Sequence, residues 1–218
     1  MNVLERRYTA LPAETRAKGS KIGGYASVFN RLSDNLGGFV ERVDPSFFNK
    51  SRGDGWPGVM ARYNHDDNQL LGTTGGGTLR LLVDEVGLDY EVDVPAARAD
   101  VLELVSRGDV RASSFAFRTY DDDWAQTEQG FPMRTLLSGA LVDVAPVNTP
   151  AYPDATAGLR SLATKFDAPI AEVRSLAEAN DLRRFFTRTD NAGPAKPKTT
   201  SLMQARAVLL DRATCPHL

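Results

Sequence analysis

Residues 77–95, GTLRLLVDEVGLDYEVDVP, constrain the fold most sharply. Leu79, Leu81 and Val83 alternate with outward-facing positions, and Leu88, Tyr90, Val92 and Val94 repeat the pattern on the return. Asp84 to Gly87 lies between the two runs and supplies a glycine for the turn. A period of two puts successive side chains on opposite faces of a pleated strand. The stretch therefore predicts an antiparallel hairpin with one face buried.

Most of residues 20–150 reads the same way. GGYASVF (23–29), GGFVERV (37–43), GVMARYNH (58–65) and LLGTT (70–74) are short strand candidates. RASSFAFRTYDDDW (111–124) and MRTLLSGALVDVAPVNTP (133–150) are β-like again. Two helices interrupt them. In DPSFFNKS (44–51), Asp44 is placed to cap a short helix with Pro45 at its first position. In AARADVLELVSR (96–107), Val101, Leu102 and Val105 share one side, Glu103 and Arg107 stand four apart, and Gly108 offers a C-terminal cap. From about residue 169 the spacing of Ile170, Val173, Leu176 and Ala177 is helical. TDNAGPAKPKTTS (189–201) reads as a flexible linker, and LMQARAVLLDRA (202–213) as a short amphipathic helix. The expected organisation is an N-terminal extension (1–19), a main domain (20–165), a helical extension (166–190), and a linker with a short basic C-terminal helix (191–218).

Charge and cysteine usage exclude several classes. The net charge is −2, and the basic excess sits in the tail, where residues 181–218 hold seven Lys/Arg against three Asp. No general nucleic-acid surface is implied. No apolar run approaches a membrane span, and the opening MNVLERRYTALPAETRAKG lacks the apolar segment of a secretory signal. Cys215 is the single cysteine, which rules out an internal disulfide framework and a cysteine-rich zinc site and fits a reducing, intracellular setting. GTTGGGTLR (72–80) has the glycines of a phosphate loop, but a strand-like segment follows them where a helix is required. No cofactor is expected.

His65, in ARYNHDDNQLLG (61–72), is the only histidine besides the penultimate His217. It is a base, a metal ligand or a turn residue. As a metal site, His65-Asp66-Asp67 is a poor chelate, because adjacent strand residues point to opposite faces, and no second interior His or Cys completes a zinc site. An oxygen-ligand site for Mg2+ or Ca2+ stays open, though no bound metal is expected. A serine nucleophile needs a base near neutral pH, and His65 is the one available outside the tail. In VRASSFAF (110–117), Ser114 shares a strand face with Ala112 and Ala116, small neighbours that leave room for a substrate backbone. Ser113 falls on the face of Phe115 and Phe117, toward a core. Asp143, in GALVDVAPV (139–147), is an acid in an apolar strand. A buried carboxylate asks for a partner, and a protonated His65 would be one. These residues permit a Ser/His site in a β-rich domain; surface or structural roles for each stay open.

The order of these segments resembles the prohead (capsid maturation) proteases of tailed bacteriophages, the HK97-like type. GYASVFNRLSDNLGGFVERVDPSFF is similar to the family's N-terminal block, NHDDNQLLGTT with GTLRLLVDEVGLDYEVDVP to its histidine block, LELVSRGDVRASSFAF to its serine block, and LVDVAPVNTPAYPDA to its last block. The likeness covers roughly residues 20–160. It implies a fold related to the herpesvirus assemblin proteases, a β-rich α+β domain built on a closed or partly closed antiparallel β-barrel ringed by helices. It implies a serine endopeptidase with His65 as general base and Ser114 as nucleophile. Assemblins use a second histidine, which this chain lacks in its core. The phage family commonly carries an acid in the last block, here Asp143. Backbone N–H groups would hold the oxyanion, with Arg111 and Arg118 as basic candidates nearby. The implied substrate is scaffold protein, or the scaffold-like segment of the major capsid protein, and the enzyme itself. The implied setting is the assembling procapsid in the bacterial host cytoplasm, as a homodimer or higher oligomer, with no nucleic-acid or membrane partner. The competing reading is a non-catalytic, protease-like scaffold or assembly protein.

Overall fold

In a computed structural model, residues 3–8, 16–148 and 155–187 are described. Along the chain, β1 (Glu5–Tyr8), β2 (Arg16–Lys18), β3 (Lys21–Val28) and β4 (Val40–Val43) precede a short helix, α1 (Asn49–Gly53). Strands β5 (Met60–Arg62), β6 (Leu70–Thr73), β7 (Leu79–Val83) and β8 (Gly87–Asp93) follow, then helix α2 (Ala99–Arg107). Two long strands, β9 (Ala112–Gln126) and β10 (Pro132–Val147), lead into α3 (Thr156–Lys165), α4 (Ile170–Glu178) and α5 (Arg184–Thr187). The linker and basic helix expected beyond residue 190 lie outside the described residues.

The hairpin of residues 79–93 forms as its alternation requires, with Leu79 opposite Val92 and Leu81 opposite Tyr90. Asp84 closes its turn by accepting the backbone N–H groups of Val86 and Gly87. Gly87 has a second reason to be glycine. A Cβ there would lie 1.9 Å from the carbonyl oxygen of Ser27, so only glycine lets β3 and β8 close on each other.

The strands divide into two sheets. One runs β2-β3-β8-β7, and the other β1-β9-β10-β5-β6 with β4 also on β10. The mixed α+β, strand-rich class is as expected. The closed antiparallel barrel is not found among the described residues. Both β4 and β5 run parallel to β10, one after the other along its second edge. Among the described residues the two sheets share one isolated bridge, Phe29 with Val43. Strand β8 is paired on both edges within its own sheet, and β2 takes the outer edge of β3 at Lys21–Gly23.

Local details follow from side chains. Gly108 caps α2 at φ +80°, donating to the Val105 carbonyl. Asp44 caps a turn rather than a helix, accepting the N–H of Ser46 while Phe47 N–H bonds its carbonyl, so α1 starts only at Asn49. Helix α3 was not expected, because its buried face is Gly158, Leu159, Leu162 and Ala163, and two of those are too small to mark an apolar stripe.

Phe115 and Phe117 of β9 stack at 4.8 Å and meet Phe48 and Phe47 edge-on, at the centre of the core between the sheets. A second cluster packs Phe39 and Trp124 against α3, α4 and α5.

Charged side chains are buried beside the first core. Arg134 of β10, 1% exposed, donates to Glu5 of β1 at 2.7 Å, Glu41 of β4 at 2.9 Å and Asp122 of β9 at 2.6 Å. Arg7 of β1 bonds Glu41 at 2.8 Å and Glu5 at 2.9 Å. Burial alone would raise the Glu5 carboxyl, but the charge and hydrogen bond of Arg134, with Arg7, outweigh it and hold it below its ordinary 4.5. Burial likewise opposes the charge on Arg134, and Glu41 and Glu5 reverse that, raising it above its ordinary value.

Two outcomes follow for stability. Arg134→Met strands buried carboxylates and is expected to cost about 3–5 kcal/mol in urea unfolding. A depressed folded value means that the Glu5 contribution is complete above pH 4.5 and is lost as pH falls through the lower folded value. Glu5→Gln is therefore expected to flatten the acid side of a plot of unfolding free energy against pH.

Candidate active site

The register of β9 and β10 sets the site. Ser114 stands opposite Ala145, and Ala116 opposite Asp143, past an irregularity between Leu141 and Asp143. Residues two apart share a face, so Ser114 and Asp143 come to the same side of the sheet. Their neighbours there, Ala116 and Ala145, are small and fully buried. Ser113 points the other way, where its hydroxyl meets Tyr90 at 3.1 Å in the core.

The imidazole arrives from β5, which pairs with β10 so that Met60 lies beside Asp143. Strand β5 ends at Arg62, earlier than the alternation suggested, and Tyr63–His65 form a tight 3-10 turn. Asn64 and His65 sit at φ +55° and +56°. The left-handed region is unfavourable for residues with a Cβ and persists where surrounding contacts impose it. Here the Asn64 side chain accepts the Asn148 N–H at 3.1 Å, and Asp66 N–H bonds the Tyr63 carbonyl. The turn thus directs His65 back toward β10 and β9.

The three side chains meet. His65 Nδ1 donates to Asp143 Oδ1 at 2.5 Å, and His65 Nε2 lies 2.6 Å from Ser114 Oγ. All three are buried, with Ser114 at 0%, Asp143 at 1% and His65 at 7% exposure. The aspartate is long enough because the irregularity at residue 142 and the paired β5 bring backbone and ring together. Arg62, which had no sequence signal beyond a basic residue ending a strand, donates to Asp143 Oδ2 at 2.9 Å. Asp143 therefore has a donor on each oxygen. An acceptor-only carboxylate so placed orients a ring and balances positive charge on it, and a hydroxyl on the other ring nitrogen has a path for its proton.

The other candidates go elsewhere. Asp66 accepts the Asn68 N–H within the turn, and the exposed Asp67 pairs with Arg62 at 3.0 Å. His65, Asp66 and Asp67 do not converge as a metal site would. The Arg111 guanidinium bonds the Gly108 carbonyl at the end of α2, and Arg118 lies four residues along β9 from Ser114. Ser114 departs from expectation in one respect. It is fully buried, and β1 pairs along the edge of its strand, with Tyr8 opposite Ser114 and the Arg7 carbonyl accepting from Ser114 Oγ at 2.7 Å.

No curated protein and no solved structure matches the chain. A family profile described as the caudovirus prohead serine protease matches residues 9–167, which span His65, Ser114 and Asp143. That match takes in well over half of the sequence, and the chain belongs to the caudovirus prohead serine protease family.

Proposed function

We propose that this chain is a serine endopeptidase of capsid maturation in which Ser114 is the nucleophile, His65 the general base and Asp143 the group that orients the imidazole. The observation that carries the reading is the unbroken run of contacts from Asp143 through His65 to Ser114. Ser114 Oγ attacks the scissile carbonyl as His65 Nε2 takes its proton. Asp143 holds Nδ1–H throughout and balances the imidazolium. The same Nε2–H then protonates the leaving amine, and water, deprotonated by His65 in turn, releases the acyl group. Arg62 acts at one remove, holding the carboxylate.

The substrate class is the family's: scaffold protein or the scaffold-like segment of the major capsid protein, and the enzyme's own chain. The reaction takes place inside the assembling procapsid in the host cell, by a homodimer or larger assembly. Support for these points is family membership alone.

Co-expression with the capsid protein of the same virus tests the assignment. Ser114→Ala and His65→Ala should each abolish cleavage. Asp143→Asn should lower kcat/KM by about 10^3–10^4 through loss of the correct tautomer. Cleavage that survives both Ser114→Ala and His65→Ala would sink the reading. An inert wild-type chain would favour the non-catalytic assembly role. Arg62→Ala should lower kcat/KM by about tenfold or more through a misplaced carboxylate.

A further inference from the structure

A peptide bond has no route to Ser114 in this arrangement. The serine is fully buried, and the chain's own N-terminal strand is paired to the edge of its strand. Strand β1 pairs antiparallel with β9 from Glu5 opposite Phe117 to Tyr8 opposite Ser114, so its described ladder reaches the serine itself. Ser114 has one hydroxyl proton. Two acceptors lie within reach of it, the Arg7 carbonyl at 2.7 Å and His65 Nε2 at 2.6 Å. A base takes the proton whose hydrogen bond it accepts, so with β1 in place the Arg7 carbonyl competes with His65 for it.

We propose that the edge of β9 occupied by β1 is the docking edge for an extended segment of the substrate, and that β1 is a self-strand which the substrate displaces. The proposal rests on Ser114 being the nucleophile. Sheet edges recruit strands through backbone hydrogen bonds, and an incoming strand restores to β9 the bonds that a departing one takes away. Strand β1 is suited to leaving. It has four residues and forms the outer edge of its sheet. Its two buried charges are opposite in sign and bonded to each other at 2.9 Å, so they leave as a neutral pair. Arg134 keeps Glu41 at 2.9 Å and Asp122 at 2.6 Å after they go. No isolated charge is left behind, which is the usual penalty for dismantling a buried ion pair. A replacing segment in the same register sets two inward side chains beside Glu41 and Arg134. The fit is best for a segment with an acid and a base two residues apart.

The test is the rate at which a fluorophosphonate probe labels Ser114 in the full chain, since labelling requires β1 to open. In the charge-balanced double variant Glu5→Ala/Arg7→Ala, which loosens the anchor, labelling should be about tenfold faster or more. Tyr8→Gly leaves the buried charges untouched and weakens the strand end, including its Tyr8 hydroxyl bond to Asp34 at 3.2 Å, for an expected increase of about fivefold. It decides the matter if the double variant fails to fold. Equal labelling rates in wild type and variants would overturn the proposal and leave the nucleophile assignment standing. If Ser114 is labelled in none of them, the nucleophile assignment falls and the proposal falls with it.

Discussion

The antiparallel pairing of β9 with β10 carries the rest of the structure. Because side chains alternate along each strand, one register decides two things together. It turns Phe115 and Phe117 into the core, and it turns Ser114 and Asp143 to the opposite face. A slip of one residue would exchange those faces and destroy both. The second edge of β10 then receives β5, whose end delivers His65. Two of the three side chains thus come from neighbouring strands and the third from the turn that ends the next one, where backbone hydrogen bonds limit how far any of them can drift.

The buried charges extend the same constraint. Glu5, Glu41, Asp122 and Arg134 come from β1, β4, β9 and β10, so these four strands must be in register for the carboxylates to share one guanidinium. Burying such groups separately is unfavourable, and burying them as a set is tolerable only in this arrangement. The set fastens β1 against β9 with residues that neutralise each other, while the carbonyl of Arg7 accepts from the serine hydroxyl. Across the site, the left-handed backbone at Asn64 and His65 is held by neighbouring hydrogen bonds. One end of the site is fixed by charge and the other by a strained turn.

Short-range patterns were legible in the residues. The alternation at 79–93, the α2 helix with its Gly108 cap, and the opposite facing of Ser113 and Ser114 all follow from periods of two and 3.6. The pairing of His65, Ser114 and Asp143 was reachable because the chain has one interior histidine and one acid in its last apolar strand. Arg62 was not reachable, since a basic residue at a strand end is ordinary and its meaning depends on Asp143, 81 residues away. Helix α3 was missed because small residues make up half of its buried face.

Local chemistry in the sequence therefore specified the strands, their inward faces and which side chains could take part in catalysis. Tertiary structure alone decided that the described strands form two sheets, that β5 runs parallel to β10, and that the N-terminal strand pairs beside the serine. Those outcomes depend on which strand edges find each other. Edge pairing is made by backbone groups that every residue carries alike, so it leaves little mark in the side chains from which a sequence is read.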